Sequence, residues 1–214
     1  KNQHIPNAIF FDLDENSQKG TDLPHMLVDK SDWEKIVSEM GIKNEDIVVV
    51  YDNSDVVSSC RCWFNFIYFG HDPNLVHVLN GGLKKWLKEH KKVTSDFPVN
   101  SNTQYKSFEK KELVKSKKFI DENIISQSFK VVDARSKERF EGKVPEPRKG
   151  LRSGNIKNSF CVPFGDCLNQ NGTFKEKEKL REVFSSSLKN LNEKNIVFSC
   201  GSGVTACVLA LAYS

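Results

Sequence analysis

The residues best suited to chemistry lie near the end of the chain, in Cys200-Gly201-Ser202-Gly203-Val204-Thr205-Ala206. An apolar, β-like run, Asn195-Ile196-Val197-Phe198-Ser199, leads into Cys200, and Val204 to Tyr213 reads as an apolar helix. A cysteine at the end of a strand, before a glycine-rich turn that opens a helix, sits where backbone N–H groups and the positive helix end converge. Such a setting favours the thiolate, the nucleophilic form of the side chain. Glycine lets backbone approach the sulfur closely. A cysteine alone is more often buried and inert; the strand, turn and helix around Cys200 reverse that reading. The other five cysteines lack this context. Cys60 and Cys62 form a CxC on a helix without neighbouring ligands, Cys161 and Cys167 flank an apolar strand end, and Cys207 packs within its helix. With no CxxC pairs, neither structural zinc nor any other metal is expected. Cysteine phosphatases share the strand-cysteine-loop-helix geometry but need C-x5-R, and here Ala206 stands where that arginine belongs.

The elements that would position such a turn are written twice in the sequence. Residues 4–12 (HIPNAIFFD) and 155–164 (NIKNSFCVPF) each read as a polar turn followed by an apolar β-like run. Further on, Ile47-Val48-Val49-Val50-Tyr51 leads into Asp52 much as Asn195 to Ser199 leads into Cys200, after nearly the same interval. Both runs have the composition of buried parallel strands. A polar loop and an apolar helical run, Cys60 to Gly70, follow Asp52. The pattern predicts two α/β modules, each a mainly parallel sheet flanked by helices. The first spans 1–92 with Asp52 in the cysteine's place, a polar linker occupies 93–107, and the second spans 108–214. The counterpart of Val131-Val132-Asp133-Ala134-Arg135 would fall upstream of Lys1, and that of Val78 to Trp86 beyond Ser214, so the chain reads as truncated at both ends. Trp33, Trp63 and Trp86 are expected to anchor the packing of the first module.

Composition sets the limits. The 214 residues are 38% hydrophobic and 28% charged, enough apolar material for real cores and too much for a disordered chain. Lys and Arg number 32 against 28 Asp and Glu, a net charge of +4 that is slight and spread out, so neither a nucleic-acid partner nor a membrane surface is expected. No apolar run approaches the roughly 18 residues of a membrane span, and the first residues show no signal-peptide core. Sparse cysteines fit a cytoplasmic setting with reduced thiols; a mitochondrial one stays open.

The string CGSGVTA, together with VVDAR, the PEPR segment at 145–148, HIPNAIFFDLD and VLNGGLKKW, resembles the tandem rhodanese sulfurtransferases, especially the 3-mercaptopyruvate sulfurtransferases. The resemblance covers nearly the whole chain. It implies a silent first module, since the carboxylate of Asp52 cannot take up sulfane sulfur, and a second module whose Cys200 attacks the donor sulfur. Pyruvate leaves, the sulfur stays as a persulfide, and a thiol such as thioredoxin or a small thiol, or cyanide in an assay, removes it. No cofactor is implied.

Matching the family's motifs places the donor's clamps on Arg139 and Arg148, a residue type whose forked guanidinium suits a carboxylate. The loop residues Gly201, Gly203, Val204 and Thr205 fall to substrate binding. An Asp-His-Ser relay falls on Asp14, His25 and Ser202, where an oriented histidine could move protons near neutrality. Thiosulfate-preferring relatives usually carry Arg and Lys after the cysteine, which suits a dianion; the neutral Gly201-Ser202 here favours mercaptopyruvate, with thiosulfate as the alternative donor. A non-catalytic rhodanese-like binding module is the other alternative, and the presence of Cys200 speaks against it. The family's usual GHIPG turn reads Gly154-Asn155-Ile156-Lys157-Asn158 here, a departure at a structural position.

Overall fold

Short valine runs and amphipathic helices alternate along the chain, and the computed structural model folds them into two units, Lys1–Leu113 and Val114–Ser214. It describes residues 3–188 and 195–214; Lys1 and Asn2, with which the first module was expected to begin, lie outside the described residues.

In the first unit, α1 (Lys30–Glu39) starts where the Asp29 carboxylate accepts from the Asp32 N–H at 3.0 Å, a side-chain cap for an otherwise orphan donor. Its Trp33 and Val37 are fully buried. β1 (Val48–Val50) is followed by α2 (Ser59–Tyr68), β2 (Val76–Val78) and α3 (Gly82–Lys88). β1 and β2 pair in parallel with Val48 opposite Val76, and α2 provides the crossover that parallel neighbours require. The core gathers on Trp33, whose ring stacks on Phe69 at 4.8 Å and meets Phe66 edge-on at 5.1 Å. Trp63 packs against this cluster from a half-buried position. Trp86 does not join it: its indole donates to the Lys92 carbonyl at 2.8 Å and lies 5.1 Å from the Lys91 ammonium.

Two further expectations meet a different local structure. The apolar run within residues 4–12 forms no strand; His4 makes only an isolated antiparallel bridge to Thr94. In the second unit the matching run pairs with a central strand, and among the described residues the first unit offers it no such neighbour. Residues 93–107, read as a linker, are placed with the first unit. Thr103 Oγ1 donates to the Ile42 carbonyl at 2.6 Å, the Tyr105 N–H to Ser38 Oγ at 3.0 Å, and the Ser107 N–H to Glu34 Oε1 at 2.8 Å. The buried Tyr105 hydroxyl bonds His71 Nδ1 at 3.0 Å. A segment fastened by side-chain-to-backbone bonds leaves no hydrophobic periodicity to read.

The second unit runs α4 (Lys117–Ser126), β3 (Lys130–Asp133), α5 (Lys137–Phe140), β4 (Phe160–Cys161), α6 (Lys177–Ser187), β5 (Ile196–Ser199) and α7 (Val204–Tyr213). Its parallel sheet has the order β4-β3-β5, with Val132 opposite both Phe160 and Phe198. Val132, Ala134, Val162, Cys167, Phe184, Leu188 and Leu209 form its core. Both units are thus α/β, with parallel strands flanked by helices.

Candidate active site

Central β3 aligns the end of β5, because the Ala134 N–H donates to the Ser199 carbonyl at 2.8 Å immediately before the cysteine. Cys200 emerges half-buried. The Gly203 N–H donates to Cys200 Sγ at 3.1 Å, and Gly203 caps α7 with φ +77°, a left-handed conformation that glycine adopts without strain. The Cys207 thiol donates to the Gly203 carbonyl at 3.0 Å, so this one glycine orders both sulfurs. Val204 is buried and Thr205 half-buried in the first turn of α7, while Ser202 is half-buried in the loop itself.

Arg139 and Arg148 both reach this loop. A Cβ built on Gly201 would lie 3.2 Å from Arg139 Nη2, and Arg148 donates from Nη2 to the Gly201 carbonyl. Arg139 rides on α5, a short helix capped by the Ser136 side chain. The two cations are not equivalent. Arg139 spends Nε on Glu146 Oε1, at 3.2 Å, and Nη2 on Glu146 Oε2. The same Glu146 accepts from Arg135 Nη1 at 2.7 Å, and Arg135 Nη2 donates to Asp133 Oδ2 and to the Gly154 carbonyl, each at 2.7 Å. Glu146 is 4% exposed, and the hydrogen bond from Arg139, helped by the charge of Arg135, holds its carboxyl below the usual range. Two acids and two bases thus form a compensated chain from the end of β3 to the cysteine loop.

The sequence motif singles out the arginine of PEPR and passes over Glu146. The signal for it is a carboxylate set between arginines of the same short stretch. Burial pushes the Cys161 thiol up to about 11 and those of Cys62 and Cys167 up to about 12, so these three stay protonated and poorly nucleophilic. Among the described residues no group of three His, Cys, Asp or Glu side chains could hold a metal ion, and no helix is long and apolar enough to cross a membrane.

The first unit brings Asp14 and His25 together, with Nε2 of the imidazole 2.8 Å from Asp14 Oδ1. The third member of the expected relay, Ser202, belongs to the second unit. Asp52 follows β1 as Cys200 follows β5, and its carboxylate is ringed by hydroxyl and N–H donors of Ser54, Ser58 and Ser59.

A small parallel α/β unit that presents a cysteine in a glycine turn, preceded along the chain by a like unit with aspartate at the same place, defines a class of tandem domains. The family model for the rhodanese-like domain matches residues 1–89 and again 116–213, and the chain belongs to the rhodanese family. It is 38% identical to thiosulfate/3-mercaptopyruvate sulfurtransferase 1, mitochondrial, of Arabidopsis thaliana, over 97% of this chain and 60% of that protein. It is 36% identical to the 3-mercaptopyruvate sulfurtransferase of Homo sapiens, over 98% of this chain and 70% of that one. Among solved structures it is similar to SseA from Escherichia coli, a 3-mercaptopyruvate sulfotransferase, with a TM-score of 0.87 and 28% identity over 99% of this chain and 78% of that one. The chain therefore spans about three fifths to four fifths of the length of these relatives.

Proposed function

We propose that the protein is a sulfurtransferase that carries sulfane sulfur on Cys200. The Cys200 thiolate attacks the sulfur of 3-mercaptopyruvate, the carbon–sulfur bond breaks, and its electron pair leaves on the three-carbon fragment, which takes up a proton to become pyruvate. Cys200 keeps the sulfur as a persulfide. An acceptor thiol, a small one or that of a protein such as thioredoxin, then attacks the outer sulfur and returns Cys200 to its thiolate; cyanide serves the same end in an assay. The observation that carries this reading is the Gly203 N–H held 3.1 Å from Cys200 Sγ in a half-buried loop at the mouth of a helix. A donor aimed at the sulfur stabilises the negative charge that returns to it when the acceptor takes the outer sulfur.

Arg148 and Arg139 are assigned to the donor's carboxylate and carbonyl, with Gly201, Gly203, Val204 and Thr205 shaping the surface around them. Asp14, His25 and Ser202 are assigned to moving protons. In His25 the Nε2–H given to Asp14 leaves Nδ1 as the basic nitrogen. Thiosulfate is a second reading with specific support, because the Arabidopsis relative's name carries both donors. Against it stands charge: Glu146 compensates Arg139, and Gly201-Ser202-Gly203 adds no cation for a dianion. A cytoplasmic or mitochondrial setting fits a free, reactive thiol. The test is a side-by-side steady-state assay with both donors. The reading expects a higher kcat/KM for mercaptopyruvate, with pyruvate released in step with sulfur uptake, and absence of turnover with either donor would refute it.

A further inference from the structure

The aspartate at the silent cysteine position ties together the first unit's end of the proposed relay. Asp52 Oδ2 accepts from the Ser58 N–H at 2.8 Å, from Ser58 Oγ at 3.2 Å, and from the Ser54 hydroxyl and N–H. Oδ1 accepts from Ser59 Oγ at 3.0 Å. Ser58 and Ser59 are the cap and first residue of α2, so this one carboxylate fastens the opening turn of α2 to the end of β1. The Asp52 carbonyl accepts from the Leu83 N–H at 3.0 Å, and a Cβ on Gly82 would lie 2.5 Å from that oxygen, so α3 is held at the same point.

Arg61 lies in that fastened turn, its own N–H bonded to the Ser58 carbonyl at 2.9 Å. Its side chain is buried and donates from Nη2 to the His25 carbonyl at 2.6 Å, with the Phe64 ring 5.9 Å from the guanidinium. His25 has φ +57°, a left-handed conformation uncommon for residues other than glycine. Its other attachment is weaker. Asp14, which accepts from Nε2–H, is 83% exposed, and a polar contact open to water orders its partners poorly. A charge-assisted bond from a buried guanidinium to the backbone is the firmer hold.

We infer that Arg61, braced by Asp52, is a positioning residue for His25, holding the histidine's backbone so that its ring gives Nε2–H to Asp14 and keeps Nδ1 basic. The inference rests on the reading of His25 as a proton carrier, and it gives the silent copy of the cysteine turn a part in the reaction.

The test uses the full chain with nitrogen-15-labelled histidine, the His25 signal being identified by its loss in His25→Gln. Two-bond nitrogen–proton spectra report the tautomer directly, and steady-state kinetics with mercaptopyruvate run in parallel. Wild type should show a single Nε2–H tautomer at His25. Arg61→Met should mix the tautomers and lower kcat by about 10-fold while KM stays within twofold, part of what a well-placed proton carrier supplies. Asp52→Ala should do the same to a smaller degree, and Arg61→Lys, which still carries a cation toward the carbonyl, should restore the wild-type tautomer and most of kcat. A folded Arg61→Met protein with an unchanged His25 tautomer overturns the inference. Should that variant not fold, Arg61→Lys against Arg61→Gln carries the contrast, and identical His25 spectra in the two overturn it. If wild type transfers no sulfur, the functional reading fails, while the tautomer comparison still decides the brace.

Discussion

Asp52 and Cys200 end corresponding strands, and each lies ahead of a helix whose first turn closes around its side chain. At Asp52 the residues between strand and helix, 53–58, bring two hydroxyls and two N–H groups onto the carboxylate, and Ser59 adds a third hydroxyl. At Cys200 only residues 201–203 intervene, and the sulfur receives the Gly203 N–H. A carboxylate offers about four lone-pair sites, and five donors crowd them, so the first turn becomes a filled knot. The sulfur receives a single backbone donor, and Gly201 and Gly203 add no side chain of their own, so the second turn remains less filled than the first. The same backbone design is a brace in one unit and a candidate nucleophile in the other, and the difference rests on one side chain and the length of the turn.

The largest expected effect comes from removing the sulfur. Cys200→Ser should abolish transfer from either donor while circular dichroism and the thermal melt stay near wild type. Installing a cysteine in the other turn should not restore it: the double variant Asp52→Cys, Cys200→Ser should stay inactive, because the serine donors that suited a carboxylate crowd the new thiol. Sulfur uptake by that variant would break the comparison.

Next comes the charge chain behind the open turn. Glu146→Gln leaves two guanidinium groups short of a buried counter-charge and should destabilise the second unit by on the order of 3 kcal/mol in denaturant titrations. The folded-state pKa of Glu146 lies below its ordinary value of 4.5, so its contribution is complete above that pH and fades as pH falls through the folded value. The gap between wild type and Glu146→Gln should therefore narrow below about pH 4.5. A gap that stays constant in acid would show that packing, not charge, sets the cost.

Arg139→Ala and Arg148→Ala should each lose a charge-assisted contact to the donor, about 1.5 to 3 kcal/mol in kcat/KM for mercaptopyruvate. Unchanged specificity constants in both would remove the arginines from the donor site. The smallest effect is expected at Ser202→Ala, which should slow mercaptopyruvate turnover a few-fold without creating thiosulfate activity, as measured in the paired assay.

Much of this comparison is legible in the amino-acid sequence itself. The apolar runs before Asp52 and Cys200 announce parallel strands, and both form, but neither is buried: β1 is half-buried with Val49 exposed, and β5 is half-buried along its length. Helix α7 spans Val204–Tyr213, the same residues as the apolar run. The cysteine turn is legible because glycines, strand and helix lie adjacent in sequence. Residues 8–12 mislead, because β character in a sequence needs a neighbouring strand before it becomes a ladder. Residues 93–107 mislead in the other direction, since Tyr105 and Ser107 are secured by Ser38, His71 and Glu34, partners far away in sequence. Glu146 and Arg61 escape notice for a related reason. Arg61 acts through a buried bond to the distant His25 backbone, Glu146 through bonds to the nearby Arg135 and Arg139, and surface charge and buried charge look alike in a string of Lys, Arg and Glu.

The central claim is that Cys200 alone carries the sulfur, and intact-protein mass spectrometry tests it most directly. After incubation with mercaptopyruvate and removal of excess donor, wild type should gain the mass of one sulfur atom, lost again on adding cyanide, and peptide mapping should place it on Cys200. Cys200→Ser should gain nothing. A sulfur adduct that persists in the serine variant, or one that maps to any of the other five cysteines, would contradict the account.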